Sequence, residues 1–396
     1  MRYHSTLGAS PAADFRTAML KGLAPDGGLY VPSEIPALPA GWEGWSYAEA
    51  VSGSLELFGA VDVSPLAAEA AGTFTNPDIA PISEVGDRLV LELFWGPTLS
   101  FKDHALQVVT RILDREVDEG LILVATSGDT GSAAIEACRG RDHLRVVVLF
   151  PDGMVSEFQR RQMTTVAESN VTAVAVRGNF DDCQALVKSA FSSHPALLAL
   201  NSINWARIAA QVGYYLYAAA VIGEPFDVVV PTGNFGNAYS CWTAKQMGAP
   251  IEIITLANNA NHFLTDRVRG LDPDPTGVTA TLAPAMDIQV PSNLERFEGD
   301  ITAEFQAGWS TDDQIRETIR LVEAHHGYAL DPHTATAWRA GAETKSDRPQ
   351  LVVATAHPSK FDRSIRPPAR FLQLFEKPER MARIDPRPSD LEAFIR

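Results

Sequence analysis

The sequence predicts an α/β fold built mainly on parallel strands. Three observations carry this. From Leu89 onward, short apolar runs alternate with helical patterns. Several runs, among them Val146-Val147-Val148-Leu149 and Val228-Val229-Val230, lack the polar alternation of a surface strand, as strands covered on both faces do. At 396 residues, 45% hydrophobic and 21% charged, the chain is long enough for two domains with separate cores.

Residues 1–87 are punctuated by Pro and Gly and helical in patches. Residues 14–21 read as a short helix, and Ala24-Pro25-Asp26-Gly27-Gly28 as a turn. This stretch is expected to pack on the larger domain as an N-terminal segment. Buried strands are expected at residues 121–125, 144–150, 171–176, 226–230, 251–256 and 351–354, and helices at 131–139, 180–191 and 205–221. The division that follows is a smaller α/β domain over 88–222 and a larger one over 223–396. Residues 272–312, rich in Pro, Thr and charge, read as a long surface connection, and the tail from Lys377 as peripheral.

The net charge of -16 argues against nucleic acid as a partner, which would need a basic stripe. An anionic substrate would therefore need a few basic residues focused in its site. Cys138, Cys183 and Cys241 are far apart and in no CxxC spacing, so neither a disulfide framework nor a zinc cage is expected. The first residues carry no apolar signal core, and no apolar run approaches the ~20 residues of a membrane span. A soluble cytoplasmic protein is expected.

In an open parallel sheet, ligands bind beyond the carboxyl ends of strands. Three strand ends here deliver small or hydroxylated turns: Thr126-Ser127-Gly128-Asp129-Thr130-Gly131, Pro231-Thr232-Gly233-Asn234-Phe235-Gly236-Asn237 and Thr355-Ala356-His357-Pro358-Ser359-Lys360. Glycine allows close backbone approach, and free N–H groups at a helix start favour an anion. Gly233 to Asn237 reads as a phosphate cradle, and Ser127 to Thr130 as donors for a carboxylate. The competing reading is two ordinary strand-to-helix turns with Ser/Thr caps. Neither loop has the Walker A or dinucleotide-binding pattern. The third element is Gly96-Pro97-Thr98-Leu99-Ser100-Phe101-Lys102-Asp103-His104, where a lysine stands among apolar and small residues. Burial lowers a lysine pKa, and a neutral amine can attack a carbonyl to form a Schiff base. The alternative is a surface lysine paired with Asp103. The company of two anion loops favours the reactive amine.

These motifs resemble threonine synthases. The resemblance rests on Gly96-Pro-Thr-Leu-Ser-Phe-Lys-Asp, Ala125-Thr-Ser-Gly-Asp-Thr-Gly-Ser, Asn201-Ser-Ile-Asn-Trp-Ala-Arg, Pro231-Thr-Gly-Asn-Phe-Gly-Asn and Ala285-Met-Asp-Ile. Ser5-Thr-Leu-Gly and Gly22-Leu-Ala-Pro-Asp-Gly-Gly-Leu-Tyr-Val-Pro near the start add to it. The resemblance implies two doubly wound domains with mostly parallel sheets and pyridoxal 5'-phosphate in the cleft between them, the fold-type-II arrangement. It implies that Lys102 carries the cofactor as a Schiff base and later moves protons. Gly233, Asn234, Phe235, Gly236 and Asn237 would hold the cofactor phosphate through backbone N–H groups. Asp129, with Ser127 and Thr130, would lie near the cofactor ring and the substrate carboxylate. Thr355 would meet the pyridine nitrogen, with Ser359 as its rival. Asn204, Arg207 and Lys360 are the candidates for the substrate phosphate. Trp95, His104 and Leu7 depart from the usual residues of the family and are candidates for the substrate pocket.

The implied reaction converts O-phospho-L-homoserine and water to L-threonine and phosphate by γ-elimination and β-addition of water. One rival stops at elimination and releases 2-oxobutyrate and ammonia. Another binds the cofactor without turnover. The expected partner is a small phosphorylated amino acid, with no nucleic acid and no membrane, and the chain is expected to be a monomer or homodimer. No metal is expected: the adjacent His325 and His326 do not share a helix face. Asp181-Asp182 and Asp312-Asp313 read as helix-dipole complements. Trp205, Tyr214, Tyr215 and Tyr217 read as packing residues, and Cys138 and Cys183 as small buried apolar ones.

Overall fold

Valine-rich runs form the inner strands of two sheets. The computed structural model describes residues 1–396 apart from Ser127, Pro195, Thr276, Lys345 and Arg396. A six-stranded sheet runs in the order Phe305–Trp309, Ile251–Asn258, Phe226–Pro231, Gln350–Ala354, Arg88–Glu92 and Ile82–Val85. Every pairing in it is parallel except the last. A four-stranded, all-parallel sheet runs Ala382–Ile384, Val171–Val176, Leu144–Pro151 and Gly120–Ala125. Val228, Val229, Val230, Val146, Val147 and Val148 are buried, as strands covered on both faces must be. Among the described residues, no helix is long and apolar enough to cross a membrane.

The sheets do not follow the expected division at 87/88, nor the assignment of everything from 223 to 396 to one domain. Ile82–Val85 and Arg88–Glu92 belong to the six-stranded sheet, and Ala382–Ile384 completes the four-stranded one. These are short strands, and their pairing is decided by partners far along the chain, which local hydrophobic pattern does not encode. The stretch read as a surface connection contains the edge strand Phe305–Trp309, and the tail read as peripheral buries Leu391 and Ile395.

The N-terminal segment is anchored by helix contact. The helices Tyr47–Leu57 and Trp205–Ile222 cross so closely that a Cβ on Gly213 would stand 2.6 Å from Val51 Cα. Ser54 Oγ donates to Ala209 O at 2.7 Å across the same contact. Helix starts follow their capping residues. Asn179 with Asp182, and Thr311 with Gln314, form capping boxes, placing Asp181, Asp182, Asp312 and Asp313 in first turns.

Candidate active site

The strands ending at Pro231 and Ala354 are parallel neighbours, so the turns that follow them emerge at one edge of the six-stranded sheet. The lysine-bearing turn is strapped to that edge. Phe101 N donates to Thr355 O at 2.8 Å, and His357 N donates to Leu99 O at 3.1 Å. Leu99 adopts φ 62°, a strained value for a residue with a Cβ, and is pinned in a small core with Phe158, Phe371 and Leu374. Asp103 closes the turn by accepting from Thr98 N at 2.7 Å and Thr98 Oγ1 at 2.8 Å. Lys102 is the first residue of the helix Lys102–Glu116, and its carboxylate neighbour is Asp129, not the Asp103 of the alternative reading.

Asp129 stands between two lysines. Its Oδ1 lies 2.6 Å from Lys360 Nζ and accepts from Gln159 Nε2 at 2.7 Å, while its Oδ2 lies 3.7 Å from Lys102 Nζ. Burial pushes its carboxyl upward, but Lys360, Lys102 and the Gln159 amide together hold it well below the usual carboxylate range. Burial pushes the Lys102 amine down to about 8; Asp129 opposes this, and Lys360 and Arg207 reinforce it. Lys102 is therefore an amine enclosed by protein that gives up its proton more readily than a solvated lysine, as a nucleophile or base must.

The loop from Thr232 to Phe235 runs into the helix Gly236–Met247. Phe235 has φ 63° and is buried, its ring held by Tyr239, Phe297 and Phe305. A Cβ on Gly233 would meet Ala285 O at 2.7 Å and Met286 Cα at 2.8 Å, so the Ala285-Met286 backbone is the floor of this loop. That floor is held by His333, whose Nε2 accepts from Ala285 N at 3.2 Å and whose Nδ1 pairs with Asp331 Oδ1 at 2.7 Å. The N–H groups of Gly233, Asn234, Phe235, Gly236 and Asn237 donate to no described residue. They are the free donors of an anion cradle at a helix start. Asn234 has a further part: its side chain ties the loop to Ser202 Oγ and Ser292 N. At the other loop, Thr126 Oγ1 takes the N–H groups of Gly128 and Gly131, which leaves those of Asp129 and Thr130. Thr130 is half-buried there, and Ser127 lies outside the described residues.

The three expected phosphate contacts separate. Asn204 is the cap of the helix Trp205–Ile222: its Oδ1 accepts from Ala206 N, and its Nδ2 donates to Met19 O and Ala199 O, both at 2.7 Å. It has no donor left for a ligand, so its expected contact with the substrate phosphate is corrected to a capping role. Lys360 is fully buried against Asp129 and also donates to Thr98 O at 2.9 Å, so it is not a free cation either. Arg207 differs. It is buried, its Nη1 donates to Leu200 O at 3.1 Å, and its Nε has no partner. Among the described residues no carboxylate pairs with it. A buried guanidinium without a counter-ion is a site for an anion.

Thr355 is buried at the strand end with its hydroxyl unbonded to any described residue, whereas Ser359 Oγ pairs with His357 Nδ1 at 2.8 Å. Of the departures, Trp95 lies near the site, edge-on to His357, and donates from Nε1 to Glu92 at 2.8 Å. His104 does not line the site. It is buried beside Tyr47, Phe74 and Tyr214, bonded to Tyr47 Oη and Leu93 O, because its place on the helix Lys102–Glu116 turns it to the opposite side from Lys102's partners. Leu7 is exposed at the surface.

Residues 84–356 match the family of pyridoxal-phosphate dependent enzymes, and residues 2–66 match the threonine synthase N terminus. Threonine synthase of Pseudomonas aeruginosa is 38% identical, over 100% of this chain and 98% of that protein. This chain belongs to the threonine synthase family. The threonine synthase of Schizosaccharomyces pombe is 36% identical over 92% of this chain and 88% of its own. The solved structure of pyridoxal-phosphate-bound threonine synthase from Brucella melitensis superposes with a TM-score of 0.93 at 38% identity, over 100% of this chain and 98% of that one. That from Escherichia coli does so with a TM-score of 0.90 at 29% identity, over 100% and 99%.

The cofactor of threonine synthases is pyridoxal phosphate, and the residues present fit it. Among the buried donors without partners in the described residues are Arg207 Nε and Asn237 Nδ2. The loop floor admits only glycine at 233, so the backbone itself is offered to a ligand. Lys102 supplies the amine.

Proposed function

We propose that this chain converts O-phospho-L-homoserine and water to L-threonine and phosphate, using pyridoxal 5'-phosphate attached to Lys102. The observation that carries the reading is the presence of two separate sets of free donors around one buried amine. The loop Gly233 to Asn237 is one set, and Arg207 is the other. The first suits the cofactor phosphate, the second a phosphate that leaves the substrate.

When bound, the cofactor supplies the electron sink that lets carbon–hydrogen bonds beside the amino group break. Lys102, with a lowered proton affinity, takes and returns protons at the substrate carbons. Asp129, charged and clamped by Lys360 and Gln159, faces Lys102 and raises its proton affinity against the effect of burial. The N–H groups of Asp129 and Thr130, together with Ser127, orient the substrate carboxylate. Arg207 holds the leaving phosphate, an anion that an acidic chain of net charge -16 would otherwise repel. Thr355 turns its free hydroxyl to the pyridine nitrogen. We place the enzyme in the cytoplasm, in keeping with its three buried free thiols.

The test is simultaneous measurement of threonine, phosphate and 2-oxobutyrate from purified holoenzyme given O-phosphohomoserine. Threonine and phosphate are expected in equal amounts. The Lys102→Ala variant is expected to lose turnover and borohydride-trappable cofactor while keeping some cofactor by contact alone. Release of 2-oxobutyrate as the main product would replace this reading with the elimination reaction.

A further inference from the structure

Two glutamines on one face of the helix Glu157–Thr164 reach the site at two points of a single ring of hydrogen bonds. Gln159 Nε2 donates to Asp129 Oδ1 at 2.7 Å, and Gln162 Nε2 donates to Thr98 O at 3.0 Å. Lys360 Nζ closes the ring, since it meets those same two oxygens at 2.6 and 2.9 Å. The glutamines stand three residues apart, so they share a helix face, and both are buried. Neither amide can be reversed. A carboxylate or a carbonyl only accepts, so each amide must turn its NH2 group toward it. Gln159 is fixed further by Ser156 Oγ, which donates to its Oε1 at 3.0 Å. The same amide lies face-on to the loop before Asp129: a Cβ on Gly128 would stand 2.6 Å from its Cδ, Nε2 and Oε1 alike.

Asp129 is left with two unlike oxygens. Its Oδ1 receives two donors, whereas among the described residues its Oδ2 accepts none and lies 3.7 Å from Lys102 Nζ, beyond hydrogen-bond reach. A carboxylate free to rotate about its last bond would swing an oxygen into contact with that ammonium, because the attraction grows as the distance shrinks. Gln159 and Lys360 together prevent the swing. An opposite charge in contact would hold the Lys102 proton tightly, which hinders an amine that must shed and regain it. Glutamine suits this place better than glutamate. The ring already sets one carboxylate against two lysines, and a second carboxylate would hold Lys102 in its charged form.

We propose that Gln159 is a positioning residue for Lys102, holding the Asp129 carboxylate at a set rotation so that it steadies the amine without capturing its proton. The proposal rests on the role given to Lys102 above and deepens it, by naming what governs the amine's readiness to lose a proton. The charged groups that face Lys102 are Asp129, Lys360, Arg207 and Asp103. Gln159 bonds to the first of these alone and carries no charge of its own, so its effect on Lys102 passes through Asp129.

The experiment titrates the amine itself. Full-length protein freed of cofactor is labelled briefly with acetic anhydride across a range of pH, and acetylation of Lys102 is followed by mass spectrometry. The wild-type midpoint is expected at about 8. Gln159→Leu is expected to raise the midpoint by about one unit, so that Lys102 labels roughly tenfold more slowly at pH 7. Gln159→Glu, nearly the same in shape, is expected to raise it by more than about one unit. Gln162→Leu removes the same amide from the same helix face but leaves Asp129 bonded to both its donors, so it is expected to keep the wild-type midpoint. In holoenzyme, Gln159→Leu is expected to lose kcat with KM for O-phosphohomoserine changed by less than about threefold, and the acid limb of the kcat profile should move with the labelling midpoint. An unmoved midpoint in folded Gln159→Leu, or in Gln159→Glu should the leucine variant not fold, would overturn the proposal. So would an equal shift in Gln162→Leu, which would make the effect one of helix packing. If instead the wild-type protein takes up no pyridoxal phosphate, the proposed function fails while the labelling result stands, so the two failures are distinct.

Discussion

Lys360 Nζ lies 2.6 Å from Asp129 Oδ1, with both side chains buried. Together with Lys102 Nζ at 3.7 Å from the other oxygen, two ammonium groups share one carboxylate. The residue that follows the strand ending at Ala354 thus acts on the reactive lysine through a loop that follows the strand ending at Ala125. Lys360 is a positioning residue for Lys102, and its charge is not available to a substrate phosphate.

Removing Lys360 leaves Asp129 buried with Lys102 and Gln159 as its remaining partners. Lys360→Met is therefore expected to cost about 3–5 kcal/mol in urea unfolding, the usual cost of breaking a buried pair from one side. Adding Asp129→Asn removes the stranded charge and should restore part of the loss. If Lys360→Met melts like the wild type, the pair does not hold the site together.

Arg207 carries the leaving-phosphate assignment alone, now that Asn204 and Lys360 are committed elsewhere. Arg207→Lys and Arg207→Ala are expected to retain cofactor and to lose kcat/KM for O-phosphohomoserine by on the order of 2–4 kcal/mol, roughly 30- to 1000-fold. Lysine lacks the fork that matches a phosphate bidentately, so it should not rescue. Near-normal steady-state kinetics in Arg207→Ala would remove Arg207 from the substrate site.

His104 supplies a pH dependence of stability with a definite sign. Burial pushes its imidazole down to about 3, while the unfolded chain titrates near 6.5. Above about pH 6.5 both states are neutral and the site contributes no slope. Between about 6.5 and 3 the unfolded chain holds the extra proton, so stability falls as pH falls, by about 1.4 kcal/mol per unit. Neighbouring Asp103, raised by burial to about 6, acts in the opposite sense between about 6 and its unfolded value near 3.8. The His104→Gln variant isolates the histidine. Urea unfolding of the two proteins at pH 7 and pH 5.5 should show the wild type losing more stability than the variant. Equal losses would mean that His104 is not held neutral.

Much of the site was legible from local pattern. The lysine in its apolar turn, the glycine loop before a helix and the acidic first turns all follow from short-range rules: sterics at glycine, free N–H groups at helix starts, and capping by oxygen side chains. The inner strands were equally plain, because a strand covered on both faces must be apolar throughout. Tertiary structure alone decided which charges are free. Asn204 and Arg207 lie three residues apart in one motif, yet the first is wholly used as a helix cap and the second is left with an unmet donor. Tyr214 and Tyr215 read as packing residues and do pack, but their hydroxyls reach Asn237 on the next helix. Spacing along a chain sets which face a residue occupies. Whether its polar atom meets a partner depends on what the opposing element presents there, and that is determined only when distant segments close-pack around it.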